Sequence, residues 1–230
     1  MSRSNPNENL PHPCSRWFNW NGEKGNIRYY DKQTKQNVEV DLPFNFVLLD
    51  QLATIGGWSD KVQSGIYSNE VKDTRSEPLV VKYFKGGKFA EGLYAEIKDV
   101  VVASGGHFVL NCYIAFRDSS VDPDASDLEL GSIQFKGAAL SAWMEFEKKN
   151  RKAAWEQGVV IGGFKEGQKG KVVYRVPEFS IVEIDRDIDS EAAELDRKLQ
   201  AYLRVKRDTV EPIKEEDPPA ARVEEDDNPF

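Results

Sequence analysis

The chain has 230 residues, with 39 Asp and Glu against 31 Lys and Arg, for a formal charge of −8. Its 40% apolar content and 17 glycines are those of a globular protein, which excludes a wholly disordered or fibrous one. No apolar run approaches the roughly 18 residues of a membrane span, the first residues lack a secretory apolar core, and Cys14 and Cys112 make no disulfide framework, so an intracellular, cytoplasmic protein is expected.

Residues 1–15 are polar and carry three prolines, which predicts a loose arm. From 16 to 184 the pattern is mainly β. Gly-Gly pairs at 56–57, 86–87, 105–106 and 162–163 punctuate it and predict turns or bends. Ile27–Asp31 and Val38–Leu42 read as a hairpin. Leu79–Phe84, Gly92–Ala103 and His107–Arg117 read as strands, the last two joined by Ser104-Gly105-Gly106. Ala138–Lys152 has helical spacing, with Ala139, Leu140, Trp143 and Met144 on one face. Val159–Ile161, Val172–Val176 and Phe179–Ile184 complete the strands, and Pro177 predicts an edge or a break. Over 185–207, Ile188, Ala192, Leu195, Leu199 and Tyr202 form a helical stripe from about Ser190 to Arg207, capped by Asp189 or Ser190. That stripe would pack on the body or on a partner subunit. Short strands with one inserted and one appended helix predict a mainly β fold, with an OB-like five-stranded barrel as the closest architecture.

Charge and aromaticity divide the chain unevenly. Residues 208–230 hold nine acids against Lys214 and Arg222, leaving the body near −1. Beyond residue 180 the only aromatics are Tyr202 and Phe230. Such a segment, with Pro212, Pro218 and Pro219, cannot bury enough apolar surface to offset its ordering entropy, so an acidic, disordered interaction tail is expected.

Catalytic and metal-binding signals are weak. His12 and His107 are the sole histidines, which leaves little for nucleophilic or acid–base constellations. Cys14, Cys112, His12 and His107 lack zinc-ligand spacing. Asp185-x-Asp187-x-Asp189 starts like a calcium loop, but Ser190 stands where glycine is required. Asp118, Asp122, Asp124, Asp127 and Glu129 crowd a loop without matching ligand order. Gly162 to Gly167 has phosphate-loop spacing with Gln168 in place of the lysine. No enzyme, cofactor or metal is expected.

Binding signals are stronger. In Leu79–Phe89, Lys82, Lys85 and Lys88 interleave with Tyr83, Phe84 and Phe89 around Gly86-Gly87. Single strands of nucleic acid are held in this way, with cations along the phosphates and rings on the bases. The strand His107–Arg117 places Phe108, Leu110, Cys112, Ile114 and Phe116 on one face and His107, Val109, Asn111, Tyr113, Ala115 and Arg117 on the other, which reads as a binding or solvent face. Trp58 and Tyr67 follow glycines, as exposed rings do. Of the adjacent Tyr29 and Tyr30 only one can be core, and Tyr29 is taken as the outer one. Trp17 and Trp20 would cap the body or stack on a ligand. The candidate DNA-binding set is Tyr29, Trp58, Tyr67, Lys82, Tyr83, Lys85, Lys88, Tyr113 and Arg117. Between 134 and 175, nine Lys and Arg against four Glu add a local positive surface.

The last residues, Glu224-Glu225-Asp226-Asp227-Asn228-Pro229-Phe230, resemble the acidic tail tip of bacterial and phage single-stranded DNA-binding proteins, with Asn228 where an apolar residue is usual. The longer body resembles the divergent OB-fold members from phages. The resemblance implies a non-enzymatic protein that coats single-stranded DNA in replication, recombination or repair, in the host cytoplasm if phage-encoded. It also implies that Glu224, Glu225, Asp226, Asp227, Pro229 and Phe230 recruit partner proteins, and that a homo-oligomer can form. Two other classes remain open: a structural or adaptor β protein such as a virion component, which would assemble through the 190–207 helix, and a magnesium-dependent enzyme of nucleic-acid metabolism.

Overall fold

The computed structural model describes residues 11–117 and 127–208, with side chains through Lys206. The fold is mainly β. The strands are β1 (Arg16–Asn21), β2 (Asn26–Asp31), β3 (Gln36–Val40), β4 (Phe44–Ser59), β5 (Ser64–Ser68), β6 (Leu79–Tyr83), β7 (Lys88–Gly92), β8 (Gly106–Phe116), β9 (Glu129–Lys136), β10 (Gly158–Lys169) and β11 (Val172–Val182). The helices are α1 (Tyr94–Ala103), α2 (Gly137–Asn150), α3 (Ala153–Glu156) and α4 (Arg186–Asp208). The strands form one mixed sheet in the order β3-β2-β1-β9-β8-β4-β5-β6-β7, with the β10–β11 ribbon branching from β4. This sheet is open, so the expected barrel is not closed among the described residues.

β4 is the spine. One edge pairs with β8 from Phe46 to Gly57; the other takes β10 at Phe44–Val47 and β5 at Gly56–Ser59. Its apolar run is buried on both faces, the pattern of an interior strand. That continuous run has no alternation, and the strand went unpredicted. A bulge shifts the register from Leu48 opposite Ile114 to Asp50 opposite Tyr113. Leu49 and Asp50 therefore both serve the α4 side: Leu49 packs beneath the helix, and Asp50 accepts a hydrogen bond from Gln200 at 2.9 Å.

On one face, α2 buries Trp143 among Phe46, Phe135, Phe146 and Phe179. On the same face, α1 buries Ile97 and Val101 against Ile55, Ile66, Leu79 and Val81. The opposite face of β4, β8 and β9 is covered by α4, through Ala192 against Val47 and Ala115, then Leu199 and Leu203 against Leu52, Tyr113 and Leu130. The stripe expected along this helix thus packs on its own sheet, the first of the two expected alternatives.

Several local expectations are corrected. Gly92–Ala103 is not a strand. Gly92 turns the chain at φ 149°, the Glu96 carboxylate accepts the Leu93 N–H at 3.1 Å, and Ile97 and Val101 sit one turn apart on the buried side of α1. The Val100-Val101-Val102 run has strand propensity; tertiary burial overrides it. Ser104-Gly105-Gly106 accordingly joins a helix to a strand, and a Cβ on Gly105 would lie 2.1 Å from the Trp58 carbonyl oxygen. Gly56-Gly57 lies inside β4 rather than at a turn, and Gly162-Gly163 lies inside β10 at a register shift against β11. Pro177 sits mid-strand in β11, which is an edge strand but unbroken. The C-terminal helix starts at Arg186, where Asp185 Oδ1 accepts the N–H groups of Asp187 and Ile188 at 3.0 and 2.8 Å, displacing Asp189 and Ser190 as the cap. The end of the arm is tied down: Ser15 N–H donates to Leu130 O at 2.7 Å, Cys14 is buried, and the His12 ring lies 4.8 Å from that of Tyr202.

Candidate nucleic-acid interface

α4 covers only part of its face of the sheet. Along β4, Asp50 and Leu52 lie beneath it, whereas Thr54, Gly56 and Trp58 continue the same alternation past its packing residues. The cross-strand register extends this face into one row: His107 opposite Gly56, Gly56 opposite Tyr67, Tyr67 opposite Lys82 and Lys82 opposite Lys88. A second row adjoins it, with Trp58 opposite Gly65, and the Phe84 N–H donating to Gly65 O at 3.0 Å. Trp58 and Phe84 are each 37% exposed. Rings and ammonium groups therefore share one surface built from β8, β4, β5, β6 and β7.

Local sequence explains the arrangement. A Cβ on Gly65 would come within 2.5 Å of the Phe84 ring, so glycine lets that ring lie on the backbone. From there Phe84 stacks on Tyr67, with centroids 4.6 Å apart and planes at 26°. Lys85 caps the β6–β7 turn, its N–H donating to Ser64 Oγ at 2.9 Å. Lys88 is ion-paired to Glu91. Lys82 and Lys85 have no ion pair among the described residues. At His107, partial desolvation and then the charge of Lys136 push the pKa below its ordinary value, which favours a neutral imidazole.

The sequence-derived set divides on this structure. Trp58, Tyr67, Lys82 and Lys88 come together on the exposed face, and Lys85 stands exposed in the β6–β7 turn at its end. Tyr83 does not: it faces the α1 side and stacks on Phe89 at 4.2 Å. Tyr29 is a core residue, 7% exposed, packed edge-on against Phe18, and the partly exposed neighbour is Tyr30. Tyr113 is fully buried beneath α4. Its hydroxyl donates to Glu70 Oε2 at 2.8 Å, and burial followed by the Glu70 charge pushes its pKa up. The face of β8 read as open from Val109 to Ala115 is thus closed, with Asn111 donating to Glu70 Oε1 at 2.7 Å. Arg117 follows the far end of β8, roughly 30 Å along the strand from His107 at strand rise. Trp20 is buried as a core ring, and Trp17 packs beneath α4.

Of the bases of 134–175, Lys136 lies beside His107, opposite Val109 of β8, while others lie elsewhere. Lys149, Lys152, Lys165 and Arg175 are matched with Glu145, Glu156, Glu178 and Glu166 on α2, α3 and the ribbon. Among the described residues no group of His, Cys, Asp and Glu is placed to hold a metal ion, and no helix is long and apolar enough to cross a membrane. Glu224, Glu225, Asp226, Asp227, Pro229 and Phe230, with Asp118, Asp122 and Asp124, lie outside the described residues.

Phe84, His107, Gly56 and Gly65 belong to the surface but were not singled out as contacts. The available signal was the spacing of glycine and ring in Gly56-Gly57-Trp58 and Gly65-Ile66-Tyr67, which in strands puts a bare backbone position beside a ring. Comparison with protein-family models, curated proteins and solved structures finds no match to this chain.

Proposed function

We propose that the chain is a non-enzymatic, sequence-tolerant binder of single-stranded DNA. The observation that carries this reading is the alignment of Trp58, Tyr67, Phe84, Lys82 and Lys88 on the sheet face that α4 leaves uncovered, with Lys85 exposed in the adjoining turn. Bases stack on the rings, and the ammonium groups neutralise phosphates. Stacking tolerates any base, because every base has a π-face. The resemblance of the C-terminal tip adds a second part: Glu224–Phe230 recruits replication, recombination or repair proteins through charge and a terminal ring.

The test is a fluorescence titration of the full chain with oligo-dT, for which its five tryptophans supply the signal. Saturable quenching is expected, with log affinity falling against log salt at about −0.7 per phosphate contact. Trp58→Ala should weaken binding about 5- to 100-fold, as expected for one lost stacking partner. Lys82→Glu with Lys85→Glu should abolish measurable binding at moderate salt. Wild-type affinity in both variants contradicts the reading.

A further inference from the structure

Deepening that reading, we propose that Gly56 floors a slot walled by His107 and Tyr67, which takes one base of the bound strand edge-first between the two rings. Gly56 stands between them in a single cross-strand row, opposite His107 on one side and Tyr67 on the other. Two inter-strand spacings separate the walls by roughly 9.6 Å at the backbone. Two successive aromatic stacking separations of about 4.5 Å span the same distance. A base is a planar ring system, and one base fits where the middle side chain is missing.

The walls are prepared for this. Tyr67 is stacked on one side by Phe84, so the phenol stands supported. His107 is exposed, and its planar ring is favoured in the neutral form. The floor is open: the nearest heavy atom to a Cβ built on Gly56 is Val109 Cγ2 at 3.4 Å. Gly56 needs no left-handed backbone, and a strand interior ordinarily disfavours glycine. Neither close approach nor dihedral angle therefore requires glycine here, in contrast to Gly65 and Gly105.

That contrast supplies the experiment. Gly56→Val fills the slot with a residue that suits a strand, and His107→Ala removes one wall at an exposed position. The full chain carrying each is titrated with oligo-dT and with an abasic oligonucleotide of the same length, and its thermal midpoint is measured. Gly56→Val should hold or raise the midpoint and weaken oligo-dT binding about tenfold, in line with one lost stacking interaction. His107→Ala should weaken it several-fold, and neither variant should change the weaker abasic affinity. If both variants bind oligo-dT like the wild type while Lys82→Glu with Lys85→Glu abolishes binding, the slot is wrong and the platform stands. If the lysine variant also binds normally, both readings fall. Should Gly56→Val lower the midpoint, Gly56→Ala and His107→Ala decide the question on the same two probes.

Discussion

Lys82 and Lys88 face each other across β6 and β7, and like charges in that position cost stability. Glu91 offsets the Lys88 charge. A phosphate would offset that of Lys82. The cysteines show the reverse case, in which burial removes reactivity. Burial pushes both thiols up, with the Glu70 charge adding to the effect at Cys14, and the Glu147 and Asp50 charges at Cys112. Neither thiol should react with a thiol-specific chromogenic reagent at mildly alkaline pH until the protein unfolds, when both should; rapid labelling of the native protein would contradict the packing of Cys14 and Cys112. For His107 the depressed pKa sets a sign. The native state disfavours the imidazolium, so this contribution to stability is present above the unfolded-state value and is lost as pH falls through the native one. An NMR titration should find His107 below its ordinary range in the free protein, and a native value above that range would reverse the assignment. At this scale the sequence was legible where period-two alternation set out an apolar face, as for Cys112, Ile114 and Phe116 of β8. It misled at Tyr29 and Tyr113, because a hydroxyl does not tell a polar rim from a buried hydrogen bond.

α4 is held by apolar burial and by a polar lock. Leu199 is fully buried, and Leu199→Ala should cost about 2–5 kcal/mol in denaturant unfolding. Glu70 receives hydrogen bonds from Asn111, Tyr113 and Lys206, joining β8 to the last turns of the helix. Glu70→Ala leaves the Tyr113 hydroxyl buried without this partner, at a cost of roughly 1–3 kcal/mol. Hydrogen exchange should speed up in residues 199–206 of that variant more than in β1 or β2, and uniform acceleration would show that the lock is not local. Elements were legible in the sequence when their pattern was one-sided, as in the stripe of α4; on α2 the expected Ala139 and Trp143 are buried, but Met144 is exposed and Phe146 takes its place in the core. β4 is apolar on both sides, so it offers no period. α1 has strand-forming valines that only the neighbouring β5 and β6 turn into a helix face. Covering by α4 is also a long-range event, and no local pattern in β8 announces it.

At the scale of the whole molecule, charge is separated between a nearly neutral body and a strongly acidic C-terminus. On the proposed reading, such a segment would compete with phosphates for Lys82, Lys85 and Lys88 by long-range attraction. A chain ending at Arg207 should bind oligo-dT more tightly than the full chain at low salt, and the difference should shrink as salt screens it. Equal affinity at low ionic strength would remove this role from the tail. The central claim is that unpaired bases lie on the face shared by β4, β5 and β6. Ultraviolet cross-linking of the full chain to oligo-dT, with the adducts mapped by mass spectrometry, tests it most directly. Adducts should fall on Trp58, Tyr67 and Phe84, and disappear when Lys82 and Lys85 are both changed to glutamate. Adducts confined to β2, α2 or the β10–β11 ribbon, or none at saturating oligonucleotide, would contradict it.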